Sequence, residues 1–213
     1  MPPRHELANK SYVIMEFTEL SLSDVTLPEH GGPLTAVDVR DVFQRILQVL
    51  VQVHGHSGGY SHGYLHPENI RFRSTQRPLM PIICDAAMEP VSRGVMNMRG
   101  IRYLAPEAVN EGSLTPKSCK DIWSCGLMML SMCVVDGQCR LFTDYYARRE
   151  KGTVQTYASR VEDFVDMVDM QSDIKAGFGG LFEVAREMLR VDPMARTDAV
   201  RAHQQLLALP DEQ

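Results

Sequence analysis

Four closely spaced histidines are candidate ligands for a metal ion. His54, His56, His62 and His66 lie within 13 residues of one another, and Cys84 follows them. Neutral imidazole and thiolate groups are good zinc ligands. Their spacing fits no common zinc module, so we favour a structural assignment in which His62 packs in the core.

A predicted helix and a predicted hairpin must position these histidines. Thr35 is the expected N-cap of the helix, and Asp38 three residues later gives an acidic form of the capping box. The helix should end at residues 55–59. The apolar residues that recur at helical spacing, and should form its buried face, are Val39, Val42, Phe43, Ile46, Leu47, Leu50 and Val53.

The hairpin is predicted from a strand-like pattern over residues 67–85. Ile70 and Phe72 should share one face, and residues 80–84 should form the second strand. Another short apolar run, residues 12–17, suits a strand buried on both faces. Residues 86–107 show little periodicity and predict a structured loop. The further helices are expected at about 121–135, 156–170, 179–190 and 197–208.

Composition narrows the class of protein. With 213 residues, 44% of them apolar and 23% charged, the chain suits one soluble globular domain. A net charge of −5 disfavours a broad nucleic-acid surface. Five cysteines without regular spacing favour a reducing compartment. The longest apolar run, residues 127–135, is too short to span a bilayer. We therefore expect an intracellular, cytoplasmic protein with neither nucleic acid nor membrane as a partner.

Five motifs occur in an order that resembles the protein kinase superfamily. Residues 62–69 (HGYLHPEN) resemble the catalytic loop, and residues 85–87 (DAA) resemble the metal-binding Asp-Phe-Gly. Residues 100–107 (GIRYLAPE) resemble the end of an activation segment. Residues 121–126 (DIWSCG) resemble the start of the central buried helix, and residues 189–196 (LRVDPMAR) resemble the turn that carries a structural Arg.

The resemblance covers residues 11–208 and implies the C-terminal, mainly helical lobe of a eukaryotic-type kinase. The fold class expected is therefore α+β, mainly helical, with a hinge at residues 16–19 and the last strand of the N-terminal lobe at 12–17. Ten residues precede residue 11 and none is Gly, so we expect most of the N-terminal lobe, with its Gly-rich loop, to be absent. Residues 1–10 and 209–213 would then be tails.

The resemblance also assigns structural roles. Glu107 should pair with Arg196 and hold the activation segment to the helical lobe, since an Arg–carboxylate fork suits a buried joint. Asp121 should accept hydrogen bonds from the backbone of the loop around His62. Trp123 should pack beneath Pro106.

Several chemical groups of the family are replaced. Tyr64 stands where the family has the Asp that accepts the substrate proton, and a phenol of ordinary pKa, about 10, cannot act as that base at neutral pH. His66 replaces a Lys; it could carry a proton, but its imidazole is shorter and mostly neutral at pH 7. Gly63 removes an Arg that often clamps a phosphorylated loop. Arg71 falls where the family has an apolar residue beneath the adenine ring, although an Arg plane can stack on an aromatic ring.

Two groups at metal-binding positions are kept. Asn69 and Asp85 match the family's magnesium ligands, and they are also the residues that would contact a nucleotide cofactor through the metal. The structural alternative is that Asn69 hydrogen-bonds its own loop and Asp85 caps a turn. We favour that alternative, because magnesium bound by few protein oxygens relies on substrate phosphates and water.

The expected function is that of a catalytically impaired, pseudokinase-like domain that acts as a protein-interaction or regulatory scaffold without ATP or magnesium. Its partner would be another protein, and a second copy could pair through the edge strand at residues 12–17. The alternative is a truncated fragment of a protein serine/threonine kinase that binds ATP with magnesium and transfers phosphate.

Overall fold

The computed structural model describes residues 18–30, 32, 34–57, 59–85, 103–109, 116–132, 159–163, 165–166 and 179–210. Its strands are β1 (Leu20–Ser21), β2 (Ile70–Phe72) and β3 (Pro81–Ile83). Its helices are α1 (Ala36–Gly55), α2 (Lys117–Met132), α3 (Gly180–Met188) and α4 (Ala199–Leu207). Short 3-10 turns lie at Asp24–Thr26, Pro28–His30, Pro67–Asn69 and Pro106–Val109.

Helix α1 begins at the predicted capping box. The Thr35 hydroxyl accepts from the Asp38 amide, and the Asp38 carboxylate accepts from the Thr35 amide at 3.0 Å. The Arg77 Nε, in the loop between β2 and β3, donates to the same carboxylate at 2.7 Å. Burial is the largest single effect on the pKa of Asp38 and raises it. The hydrogen bonds together outweigh burial, so the pKa is lowered. A cap of this kind stabilises a helix by about 1 kcal/mol, and here it also attaches the hairpin loop.

The small sheet is antiparallel in the order β1-β2-β3. Ile70 pairs with Ile83, and Phe72 pairs with both Pro81 and Leu20. Ile70 and Phe72 are fully buried, as the alternation of strand side chains predicted. The predicted hairpin is confirmed, whereas β1 is a strand that the sequence pattern did not indicate, since two residues carry no measurable period.

Helix α2 is the central helix of the described core. It packs against α3 and α1, while α4 packs against α1 and α3. Gly126 permits the close approach of α2 to α3, because a Cβ at this position would lie 2.6 Å from the Cβ of Met188. The largest fully buried side chains include Trp123, Phe43, Phe72 and Phe182.

Three helix boundaries, predicted only approximately, differ from those observed. Helix α2 begins at Lys117, four residues before the predicted start at 121, because Pro116 already supplies the carbonyl that accepts from the Cys119 amide in the first turn. Helices α3 and α4 are shorter than the predicted 179–190 and 197–208.

Other predictions are only partly covered by the described residues. Residues 159–163 and 165–166 are helical, within the range of the helix predicted at about 156–170. Residues 12–17 and 86–102 lie outside the described residues, as do residues 133–135 at the end of the helix predicted at about 121–135. In the part of the chain that the structure describes, no helix is both long and apolar enough to cross a membrane.

Candidate functional site

The Asp121 side chain fixes the shape of the loop at residues 62–69. Its carboxylate accepts hydrogen bonds from the His62 amide at 2.7 Å and from the Gly63 amide at 2.8 Å. It also contacts the Nε2 atom of His54 at 2.9 Å. Asp121 is 1% exposed, so these three contacts take the place of water. Gly63 adopts a φ of 84°, a conformation that costs least with Gly. The bonds expected from Asp121 to the loop are present.

His62 is a buried structural residue with both ring nitrogens in use. Its Nε2 atom lies 2.7 Å from the Cys84 carbonyl, and the Tyr64 amide donates to its Nδ1 atom at 3.3 Å. A ring that carries its hydrogen on Nε2 satisfies both contacts. Among the described residues, no group of three or more His, Cys, Asp or Glu side chains is placed to hold a metal ion. The zinc alternative therefore has no support within that part of the chain.

Asn69 and Asp85 lie at the same end of the β2–β3 hairpin. The Asn69 side-chain amide donates to the Tyr64 carbonyl at 2.7 Å, and its backbone carbonyl accepts from the amide of Cys84, the residue before Asp85. Asn69 thus bonds its own loop, as its structural assignment requires. Asp85 has a φ of 60°, which is uncommon outside Gly but tolerated by Asp. The bond between Asn69 and Cys84 therefore places Asp85 one residue beyond the position opposite Asn69.

Tyr64, which is half-buried, and His66, which is buried, form an uncharged pair. Their rings meet edge to face with centroids 4.6 Å apart. Burial lowers the pKa of His66 to about 4, with smaller effects of Glu68, His62 and Asp85, and burial raises the pKa of Tyr64. The Nδ1 atom of His66 is buried without a hydrogen-bond partner. At neutral pH the first residue is a neutral phenol and the second a neutral imidazole, so neither supplies a carboxylate base or a cation.

The pKa of His66 predicts a loss of stability in acid. Because its folded-state pKa of about 4 lies below the ordinary 6.5, the unfolded chain binds the proton first as the pH falls. This contribution to stability is fully present above pH 6.5 and is lost between pH 6.5 and 4. The full loss is about 3 kcal/mol.

Urea denaturation at pH 7 and pH 4.5 checks this prediction. Most of the loss in the free energy of unfolding should be present at pH 4.5. In His66→Leu the free energies of unfolding at pH 7 and pH 4.5 should differ less, by the amount that His66 contributes. His56→Leu, which removes an exposed imidazole, is the control and should keep the wild-type difference. Equal pH dependence in wild type and His66→Leu would refute the assignment.

A buried ion pair joins Glu107 to Arg196. The Arg196 Nη1 atom lies 2.6 Å from Glu107 Oε1, and Nη2 lies 3.1 Å from Oε2. The guanidinium also donates to the carbonyls of Cys119 and Arg190, and it lies over the Trp123 ring at 5.1 Å. The Arg196 side chain is 0% exposed and that of Glu107 is 8% exposed. The expected pair is present in the two-pronged form that Arg and carboxylate favour; the contact of Trp123 with Pro106 stays a prediction.

Two contacts of the site were not predicted from the sequence. His54, a candidate zinc ligand in the sequence, lies on the last turn of α1 against Asp121. Its spacing from Leu47 and Leu50 continues the buried face of the helix and could have indicated this position. Arg71 donates from Nε to the Thr18 hydroxyl at 3.2 Å and from Nη2 to the Thr18 carbonyl. The partner of Arg71 lies 53 residues away, and nothing in the sequence pattern identifies it.

Comparison with protein families agrees with this geometry. A loop tied to a central buried helix, a short hairpin and a buried Glu–Arg pair define a kinase-like helical core. The family model of the protein kinase domain matches residues 5–207. The chain therefore belongs to the protein kinase family. No curated protein matches it.

Membership of this family implies ATP and magnesium, and the described residues fit them only in part. Asn69 and Asp85 supply oxygen atoms of the type that magnesium prefers. By the motif resemblance, Tyr64 stands at the position of the base and Arg71 at the position beneath the adenine ring; the guanidinium of Arg71 reaches Thr18. Because the adenine side does not fit, we derive no catalytic step through the nucleotide.

Proposed function

We propose that this chain is a catalytically impaired kinase-like domain that serves as a protein-interaction or regulatory scaffold. The observation that carries the proposal is the uncharged pair of Tyr64 and His66, which occupies the positions of the base and the Lys in the catalytic loop. Phosphoryl transfer depends on positioning and on electrostatic stabilisation of the transition state. A neutral phenol and a neutral imidazole provide neither the proton acceptor nor the positive charge.

The structural contacts of the family support the same proposal. Asp121 and the Glu107–Arg196 pair are buried charges, and burying a charge is costly unless it is paired and hydrogen-bonded. Here each of them is satisfied by several hydrogen bonds. The sequence thus retains the residues that hold the shape while the residues that perform the chemistry are replaced, as expected for a domain selected for its surface.

In this proposal the described residues form the hinge and the helical lobe of the family, within a domain at 11–208. The partner is a protein. One candidate is a second copy that pairs through residues 12–17, and the mass of the protein in solution distinguishes a monomer from a dimer. The proposal assigns no role to ATP or magnesium and places the protein inside the cell.

A second candidate function is that of a serine/threonine kinase, or a fragment of one, that binds ATP with magnesium. The placement of Asn69 and Asp85 at one end of the hairpin favours it. So does the positive φ of Asp85, because uncommon backbone conformations cluster at functional sites. An assay for phosphate transfer from ATP separates the two functions: activity that is lost in Asp85→Ala favours the kinase, and its absence favours the scaffold.

A further inference from the structure

Arg71 is a charged residue in the middle of the central strand. It lies in β2 and pairs with Ser21 of β1 and with Ile82 of β3. Its neighbours Ile70 and Phe72 are 0% exposed and point into the core. Because successive side chains of a strand point to opposite faces, Arg71 lies on the other face of the sheet. This face is the one on which Thr18 is found.

The guanidinium of Arg71 is held on Thr18 by two hydrogen bonds. Nε donates to the hydroxyl at 3.2 Å, and Nη2 donates to the backbone carbonyl. Thr18 is 7% exposed, so this carbonyl is largely withdrawn from water and depends on a protein donor. Nearby, the Asp24 carboxylate accepts from the Ser21 amide and hydroxyl, each at 2.7 Å. Those bonds are the main cause that lowers the pKa of Asp24, and the charge of Arg71 adds to them.

We propose that the Arg71 side chain occupies the adenine position of the cleft and closes it to adenine nucleotides. The inference rests on the kinase-like assignment, in which Arg71 replaces the apolar floor beneath the adenine ring and residues 16–19 are the hinge. A side chain that starts at the floor and ends on the hinge carbonyl of Thr18 must cross the space between them. That space is where the ring would lie.

The chemistry of adenine makes Arg71 and the base competitors. The exocyclic amine of adenine is a hydrogen-bond donor. A base lying against residues 16–19 would need a backbone acceptor there, and the Thr18 carbonyl already accepts from a guanidinium. A bond from a charged donor is the stronger of the two. To admit the ring, Arg71 must give up both contacts with Thr18. With Arg71 beneath it, the ring would also lack the apolar surface that usually lines a ligand pocket.

Calorimetric titration with adenosine tests the proposal, because adenosine has no phosphate and its binding depends little on the net charge of the protein. Wild type, Arg71→Leu and Arg71→Met are compared, with Arg73→Leu as the control that removes the same charge from an exposed position two residues away. We expect both variants of Arg71 to bind adenosine about tenfold or more tightly than wild type. Arg73→Leu should behave as wild type.

The remaining outcomes overturn the proposal. If wild type and the Arg71 variants bind equally, or if none of them binds, Arg71 is not what closes the site. If wild type binds more tightly than the variants, the guanidinium stacks on the base as a ligand. Arg71→Met keeps a long side chain and decides the question if Arg71→Leu does not fold. The proposed scaffold function is tested separately: phosphate transfer by the wild-type chain would contradict that function, whatever the adenosine titration shows.

Discussion

Arg196→Ala should destabilise the protein by about 3–5 kcal/mol, the loss expected when one partner of a buried ion pair is removed. The substitution leaves the Glu107 carboxylate buried without its counter-charge. It also removes the donor to the carbonyls of Cys119 and Arg190 and the cation that lies over Trp123. Urea denaturation followed by circular dichroism measures the free energy of unfolding.

The matched control for this prediction is Arg190→Ala. Arg190 pairs with Glu187 through a similar two-pronged contact, but its side chain is 49% exposed. Surface ion pairs contribute little, so this variant should remain close to wild type. Glu107→Gln keeps the shape of the side chain and isolates the charge; it should lose stability as well. Arg196→Ala as stable as Arg190→Ala would show that the pair does not hold the fold.

Asp121→Ala should also cost about 4 kcal/mol, since the amides of His62 and Gly63 and the Nε2 atom of His54 all lose their acceptor. Each buried group left without a partner costs about 1–3 kcal/mol. Asp121→Asn, which retains one acceptor oxygen, should lose about half as much. The free energy of unfolding is measured as for Arg196.

Hydrogen exchange distinguishes a local effect of Asp121 from a global one. In Asp121→Asn the amides of residues 62 and 63 should exchange faster relative to the core of α2 than they do in wild type. Asp41→Asn, which changes a partly exposed carboxylate on α1, is the control and should leave both regions unchanged. Unchanged protection at residues 62 and 63 in Asp121→Asn would mean that the carboxylate does not fix the loop.

The features that could be predicted from the sequence are those with a local or periodic signal. The capping box of Thr35 and Asp38 spans three residues, and the buried face of α1 repeats at the helical period, so both are visible in the chain itself. Val53 is an exception, since it lies near the end of the helix and is only half-buried. The Glu107–Arg196 pair spans 89 residues and was expected only through the resemblance to kinases.

The features that could not be predicted depend on long-range packing without a repeating pattern. Strand β1 has two residues, and it forms because β2 offers an unpaired edge beside it. The contact of His54 with Asp121 depends on how α1 crosses α2. Arg71 and Thr18 are 53 positions apart in the sequence, and only the sheet brings them together. Arg71, at a position where the family has an apolar residue, indicated that this position differs from that of other kinases. It did not identify Thr18 as the partner.

The most direct test of the account is the rate at which the purified wild-type chain transfers phosphate from radiolabelled ATP, with magnesium, to itself and to a mixture of protein substrates. Asp85→Asn is measured beside it, because the substitution keeps the size of the side chain and removes the carboxylate. Circular dichroism shows that both proteins are folded. A catalytically impaired domain should give the same background incorporation in both proteins. Incorporation by wild type that rises with time and is absent in Asp85→Asn would contradict it.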